Sequence, residues 1–311
     1  YQDPATSQSA LTETQRASLE ETVRLLVSPT PLQELQFPHE TFVLLGGLLN
    51  QFPPLELACL FLMRLMILIP NEIDSRSISP ILELIIQRIS LTVQKTTPSP
   101  SLREFTTSQL VLALCVIANC ISHHAGCLLL FSSPSSGETT LSLCIDAAMW
   151  GMCHERSDIR QICGALAYNT TLASTKWEQE STAGVQLSWR CLHVESAYHP
   201  QGEEAAAAVK SGGDDVNDDE IHPHVVQLLC GSLDNIDGEN DPVALRRRIL
   251  TAYRVSRSGG ENVKNLAVDL GYDSVICEIR KRESATSGGA AELRSDDDRH
   301  LIAHLENYFK L

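Results

Sequence analysis

The sequence predicts an all-α protein of layered helix pairs or triplets, as in an α-solenoid, and three observations carry that expectation. Apolar residues recur at helical spacing along most of the chain. No segment shows the apolar–polar alternation of a strand. Two runs, 55–69 and 108–121, are apolar nearly all round, as helices buried from both sides would be. About a dozen helices of roughly 8–16 residues, joined by short Pro, Gly and Ser turns, account for the length. No sequence repeats identically.

Residues 1–14 are expected to be a flexible N-terminal segment, with helical patterning from Thr12, where Leu19, Val23 and Leu26 share a face until Pro29 and Pro31. Pro38 precedes a helix from about His39 to Asn50, and Pro53–Pro54 opens the apolar one from Leu55, which Pro70 ends. Pro80 is expected to start the next, with Ile81, Leu84, Ile85, Ile89 and Val93 as its stripe, and Lys95–Ser101 to be a turn or short linker. Helices follow at Ser108–Ile121, Thr139–Cys153 and Asp158–Leu172, with a shorter one around Thr182–Val194. Composition then changes. Between Glu195 and Asp241 there are twelve acidic residues and one basic one, which predicts an acidic insertion over about 196–222; only His224–Leu233 looks packed. Asp241-Pro242 supplies an N-cap and a first-turn Pro for a helix to about Arg257. Helices over Gly260–Leu270, ending at Gly271, and Asp273–Lys281 come next, then a soft loop over about 284–298 and an amphipathic helix from His300 to Phe309.

The 311 residues suffice for one large domain or two ordinary ones, and 43% apolar against 20% charged residues supports a real core. A formal charge of −15 argues against a general nucleic-acid binder, which needs a basic footprint. Aromatics at 5% are too few for base-stacking platforms. The longest apolar stretch, Leu55–Ile69, has 15 residues and contains Glu56 and Arg64, so it reads as a buried helix rather than a membrane span. Ten cysteines without a CxxC pair, several of them inside apolar helical runs, point to reduced thiols and a cytoplasmic or nuclear compartment. The opening Tyr1 suggests a segment cut from a longer protein.

Chemistry-bearing patterns are few. Cys120-Ile-Ser-His123-His124-Ala-Gly-Cys127 has the ingredients of a zinc site, but its spacing fits a helix end followed by a Gly turn, and no metal or other cofactor is assigned. Cys153 and His154 are adjacent, and neighbours on a helix diverge by about 100°. No nucleophile elbow, Walker loop or HExxH occurs, so the chain is not read as an enzyme. Asp234–Glu239 fails as a calcium loop, because Leu233 and Ala244 would fall where Asp and Glu are required. Asn169-Thr-Thr as a glycosylation acceptor is a chance match. The informative feature is charge asymmetry: from Arg246 to Arg282 nine basic residues face four acidic ones. They are either solvated helix faces or a basic groove for an acidic peptide, since Arg forks match carboxylates. Asn119 and Asn169, late in two apolar helices, either make helix-end contacts or line a concave face and bond an extended backbone.

At these residues the chain resembles a known family. Ala118-Asn-Cys-Ile-Ser-His-His-Ala-Gly-Cys127, Gly164-Ala-Leu-Ala-Tyr-Asn-Thr170, Arg248-Ile-Leu-Thr-Ala252 and Asn265-Leu-Ala-Val-Asp-Leu-Gly-Tyr-Asp-Ser274 resemble the PUL domain of the phospholipase-activating protein and its fungal ubiquitin-pathway relatives, over roughly residues 15–311. The resemblance implies an armadillo-like solenoid of roughly five to six helical repeats. It implies a monomeric, non-enzymatic adaptor that binds the acidic C-terminal tail of the valosin-containing-protein-type AAA ATPase, with neither nucleic acid nor membrane as partner. Arg248 falls on a recurrent family arginine, and Cys115 stands where a second is usual, with Arg103 or Arg254 as possible replacements. In the mechanism this implies, Arg248, with Arg247, Arg254 and Lys264, neutralises tail carboxylates while Asn119 and Asn169 hold the backbone. Arg248→Glu is then expected to weaken tail binding without lowering the melting temperature, and the acidic insertion could compete for the groove. The alternative is an armadillo-like scaffold that docks thioredoxin-like or de-SUMOylating-peptidase-like domains of its own parent, or another protein. A Cys/His enzyme is the third reading, tested by a thiol-directed activity probe.

Overall fold

The computed structural model describes residues 11–30, 35, 37, 40–68, 75–94, 102–122, 126–127, 130, 137–180, 221, 223–284 and 296–309. Among them the chain is all-helical, with twelve α-helices, two 3-10 turns and no strand. The expected linker at 95–101, the short helix around 182–194, most of the acidic insertion and most of the second soft loop lie outside the described residues. Contacts divide the chain into two compact units, Tyr1–Leu129 and Leu130–Leu311, where the sequence reading treats 15–311 as one domain.

In the first unit α1 (Glu13–Leu26) starts at a capping box, with the Gln15 amide on Thr12 Oγ1 at 3.2 Å and the Thr12 amide on Gln15 Oε1 at 3.0 Å. It packs on α2 (Thr41–Gln51). A 3-10 turn at Pro53–Leu55 then opens α3 (Glu56–Met66), followed by α4 (Ser75–Gln94) and α5 (Thr107–Ile121). Pro80 lies inside α4 rather than at its start, so α4 omits one backbone bond in its second turn. α5 opens on a second capping box, Thr106 with Gln109, and buries Leu114, Ile117 and Ile121, each worth about 1.5–3 kcal/mol of apolar transfer. Alternate helices stack: α2 on α4 and α3 on α5. The α3–α5 pair is parallel, because Glu56 meets Gln109 and Arg64 meets Asn119 one helix length further on.

The 55–69 run is not buried from both sides as expected. Cys59, Leu60, Met63, Met66 and Ile67 face the core, whereas Leu57, Phe61 and Leu68 face solvent.

The second unit repeats this plan. α6 (Gly137–Met152) and α7 (Ser157–Glu180) form a hairpin, as do α8 (Pro223–Leu233) and α9 (Pro242–Ser258). α8 lies along α6 and α9 along α7, again in parallel: Met149 meets Gly231 and Cys153 meets Asp234, while Gln161 meets Arg247 and Tyr168 meets Arg254. α10 (Gly260–Asp269), α11 (Tyr272–Ser284) and α12 (Asp296–Phe309) complete the unit, each packing on the one before. Gly271, at φ +86°, provides the left-handed turn between α10 and α11 that a side chain would strain. Next to it, the buried Tyr272 hydroxyl donates to the Ile249 carbonyl at 2.6 Å, and burial pushes its pKa well above the usual value.

Two glycines predict opposite responses. A Cβ at Gly151 would fall 2.0 Å from Cys163 Sγ and 2.6 Å from its Cβ, so the α6–α7 hairpin closes only around a bare backbone. Gly47, on the open side of α2, has nothing within 4 Å of that position. Gly151→Ala is expected to destabilise by about 1–3 kcal/mol. Gly47→Ala should stabilise by about 0.5–1 kcal/mol through helix propensity. Thermal melts of the two variants showing the same sign would contradict this packing.

Candidate functional site

The basic stretch from Arg246 onward is carried mainly by α9. Asp241 caps it, its Oδ1 accepting from the Val243 and Ala244 amides at 2.9 and 3.0 Å while Oδ2 takes Gln161 Nε2 at 2.7 Å. Burial raises the Asp241 pKa, but the Ala244 amide, Gln161 and the Val243 amide outweigh it, and the carboxyl titrates below its ordinary value. One side of α9 is core: Ala244, Leu245, Ile249, Ala252 and Val255 are buried. Arg247, Leu250, Arg254 and Arg257, at i, i+3, i+7 and i+10, form the opposite stripe.

Arg247 leans on α7, its stem over Gly164 and Nη1 donating to the Gln161 carbonyl at 2.6 Å. Seven residues on, the Arg254 guanidinium carbon lies 5.1 Å from the centre of the Tyr168 ring. Arg257 Nη1 donates to the Tyr253 hydroxyl at 3.4 Å, and that hydroxyl lies 2.7 Å from His304 Nε2. Neither Arg254 nor Arg257 has an ion-pair partner among the described residues. Lys264, on α10, is mostly covered; its Nζ sits 3.7 Å from Glu261 and 5.1 Å from the centre of the Tyr308 ring. Asn169 is half-buried on α7 beside Tyr168. Asn119, expected to hold a peptide backbone beside the arginines, belongs to the first unit, where its Nδ2 donates to the Arg64 carbonyl at 3.0 Å in a helix-end contact.

Arg248 is the correction. It is 2% exposed, on the core side of α9, and cannot meet a ligand carboxylate at the surface. Its Nε donates to the Ser232 carbonyl at 3.1 Å, and its Nη2 to those of Gly231, at 3.3 Å, and Asp234. These carbonyls end α8, so the guanidinium supplies donors the helix leaves unmet and sits at the negative end of its dipole. Glu239, with a side chain 1% exposed, lies 3.7 Å from Arg248 Nη1 and accepts two bonds from Arg160 Nε, at 3.1 and 3.0 Å. Arg160 Nη1 in turn donates to the His154 and Glu155 carbonyls in the α6–α7 turn. One buried carboxylate thus ties two hairpin ends together through two arginines. Burial lowers the Arg248 pKa, against the pull of Cys153, Glu239 and Asp234.

The first unit holds a similar cluster that sequence reading missed. The buried Glu56 accepts from Arg88 Nη2 at 3.1 Å and Gln109 Nε2 at 2.8 Å. Arg103 Nη2 lies 2.9 Å from Glu56 Oε1, off the hydrogen-bond axis, and donates to the Asn50 carbonyl at 3.2 Å. Arg103 is thus engaged at this cluster, with Glu56 and the Asn50 carbonyl.

Cys153 and His154 do not work on each other. The Cys153 thiol donates to Asp234 Oδ2 at 3.3 Å, and burial, then Asp234, raises its pKa. His154 Nδ1 accepts from the Arg156 amide at 3.0 Å. Cys144 is pushed up to about 12 by burial. In the Cys120–Cys127 run, Cys120 Sγ donates to the Gly126 carbonyl and Cys127 Sγ to that of Ile121; His123 and His124 lie outside the described residues. Among the described residues no group of three or more His, Cys, Asp or Glu could hold a metal, and no helix is long and apolar enough to cross a membrane.

Fold and surface together define a class: an all-helical protein of stacked hairpins with a cationic stripe beside a tyrosine. No family model, curated protein or solved structure matches the chain.

Proposed function

We propose that the chain is an armadillo-like α-solenoid of the PUL kind, acting as an adaptor for the acidic C-terminal tail of a valosin-containing-protein-type AAA ATPase. The parallel stacking of alternate helices within each unit supports the solenoid, since that is how successive helix pairs bury a continuous core. The observation that carries the binding role is the α9 stripe: Arg254 over Tyr168 and Arg257 three residues on, two cations without an ion-pair partner among the described residues of a −15 chain. Arg247 extends the stripe and Asn169 adjoins it on α7, whereas Arg248 holds the stripe's helix in place from inside. The tail's carboxylates pair with the arginine forks, and an aromatic tail residue has the Tyr168 ring to pack on.

Each exposed pair contributes about 1 kcal/mol or less, so affinity is modest and falls with added salt. Isothermal titration with the ATPase C-terminal peptide is expected to give a measurable affinity that Arg254→Glu with Arg257→Glu reduces at least several-fold, with no change in melting temperature. Absence of binding, or equal affinity for both proteins, would reject the reading.

A further inference from the structure

The α9 stripe ends in a polar cluster built from three helices. Tyr253, on α9 and 8% exposed, turns its hydroxyl to two exposed side chains. His304 of α12 has its Nε2 at 2.7 Å, and Arg257 Nη1 donates at 3.4 Å. The phenol ring is held edge-on against His304 and Tyr308, at centroid distances of 5.5 and 5.2 Å. An arginine only donates, so the Tyr253 oxygen accepts from Arg257 and its one hydrogen goes to His304 Nε2. This order belongs to neutral His304, with its proton on Nδ1, and the chain closes from Arg257 through Tyr253 to His304. Protonation upsets it. A hydrogen on Nε2 makes His304 a second donor to the Tyr253 oxygen, and the Tyr253 hydrogen must turn away. Two cations then meet at one hydroxyl that has a hydrogen to give.

We propose that Tyr253, Arg257 and His304 form an acid-switched site for a carboxylate of an acidic peptide, on the reading of the α9 stripe as the peptide-binding face. A carboxylate supplies both things the protonated network lacks, an acceptor and a negative charge. The neighbours are otherwise engaged. On α10, Lys264 lies over the Tyr308 ring and 3.7 Å from Glu261, and Arg280 of α11 pairs with Glu306 of α12. Burial, then Tyr253, then Glu261, push the Tyr308 pKa up against the pull of Arg257, so that phenol keeps its proton. His300, one turn earlier on α12, is exposed and has no bond to this network among the described residues. His304 is therefore the member of the network that changes charge around neutrality. Arg254 and Arg257, three residues apart, are neighbours on α9, so one peptide can meet Arg254 and this site together. Affinity rises as pH falls through the histidine range, because a bound carboxylate favours charged His304 while the peptide's own Asp and Glu stay ionised.

The test is isothermal titration of the full chain with two acetylated probes, the ATPase C-terminal peptide and a glutamate-only peptide of the same length. Both are measured at one ionic strength, at about pH 8 and about pH 6. The wild type is expected to bind about two- to five-fold tighter at the lower pH, as one added exposed charge pair gives. It should also take up protons on binding near neutrality, read from the dependence of the heat on the buffer's ionisation enthalpy. His304→Gln should bind with one affinity at the two pH values and without proton uptake. Its amide can still accept from Tyr253, a parallel melt verifies folding, and His304→Asn is the second variant. Equal wild-type affinity at the two pH values, absence of proton uptake, or an acid gain that His304→Gln retains overturns the inference, and the tail reading stands as long as the ATPase peptide binds. Acid-strengthened, His304-dependent binding of the glutamate peptide alone supports the site and rejects the tail. Failure of both peptides to bind at the lower pH overturns both.

Discussion

Arg248→Met is expected to lower the melting temperature of the second unit by about 10 °C, although methionine is apolar and similar in length. Removing one partner of a buried charged cluster costs about 3–5 kcal/mol. At about 2–4 °C per kcal/mol for a unit of this size, the shift is well outside error. The loss has two sources. Three carbonyls at the end of α8 lose their donors, and Glu239 keeps Arg160 and the Asp241 amide as its partners among the described residues. Arg248→Lys should restore less than half of the loss, because an ammonium is a point donor and cannot fork towards three carbonyls and a carboxylate at once. Arg257→Met, on the exposed side of the same helix, is the control and should shift the melt by a degree or so. A melt of Arg248→Met that overlays the wild type would mean that the guanidinium does not hold the hairpin ends together. This reverses the expectation that Arg248→Glu would spare stability.

Periodicity reports where a helix runs more readily than where each of its charged side chains goes. The period of apolar residues located α5, α8 and α9 closely, and Asp241-Pro242 and Gly271 marked helix ends that the structure keeps. On α9 the same period puts Arg248 in register with Leu245, Ala252 and Val255, on the core side, and puts Arg247 and Arg254 opposite. The signal was present in the register. Register alone does not decide the matter, because an arginine is seldom buried unless paired, and the partner Glu239 lies in a loop with no period of its own. Glu56 was legible in the same way: a lone acid in a long apolar run, at the first turn of a helix, is either a helix-dipole charge or half of a buried pair. What no periodicity could give is Arg88, 32 residues away, or the exposure of Leu57 and Phe61 on a helix apolar all round. Those depend on which neighbour covers which face, a fact of packing rather than of local sequence.

Both units therefore set one buried carboxylate between two arginines that reach it from different segments, Glu56 with Arg88 and Arg103, and Glu239 with Arg160 and Arg248. Stacked helix pairs leave polar ends at every turn, and a guanidinium that meets a carbonyl and a carboxylate together satisfies both. Arg88 shows this: its Nε donates to the Arg103 carbonyl at 2.8 Å, its Nη2 bonds Glu56, and its face lies 4.0 Å from the centre of the Phe105 ring.

The first unit's cluster yields the second large effect and a sharper test of it. Glu56→Leu leaves Arg88, 3% exposed, without a counter-charge and should cost about 3–5 kcal/mol, again near 10 °C in the melt. Arg88→Met should cost less, since it frees the Arg103 carbonyl but leaves Glu56 with Arg103 and Gln109. The double variant, however, replaces a buried ion pair by two apolar side chains, a change that is often neutral or stabilising in well-packed interiors. Arg103, at 48% side-chain exposure, can turn its charge to water. The double variant is therefore expected to lose clearly less than the sum of the two single losses, with a coupling of about 2–3 kcal/mol in the double-mutant cycle. Simple additivity of the two losses would show that Glu56 and Arg88 act on separate neighbours, and that their 3.1 Å contact carries no energy of its own.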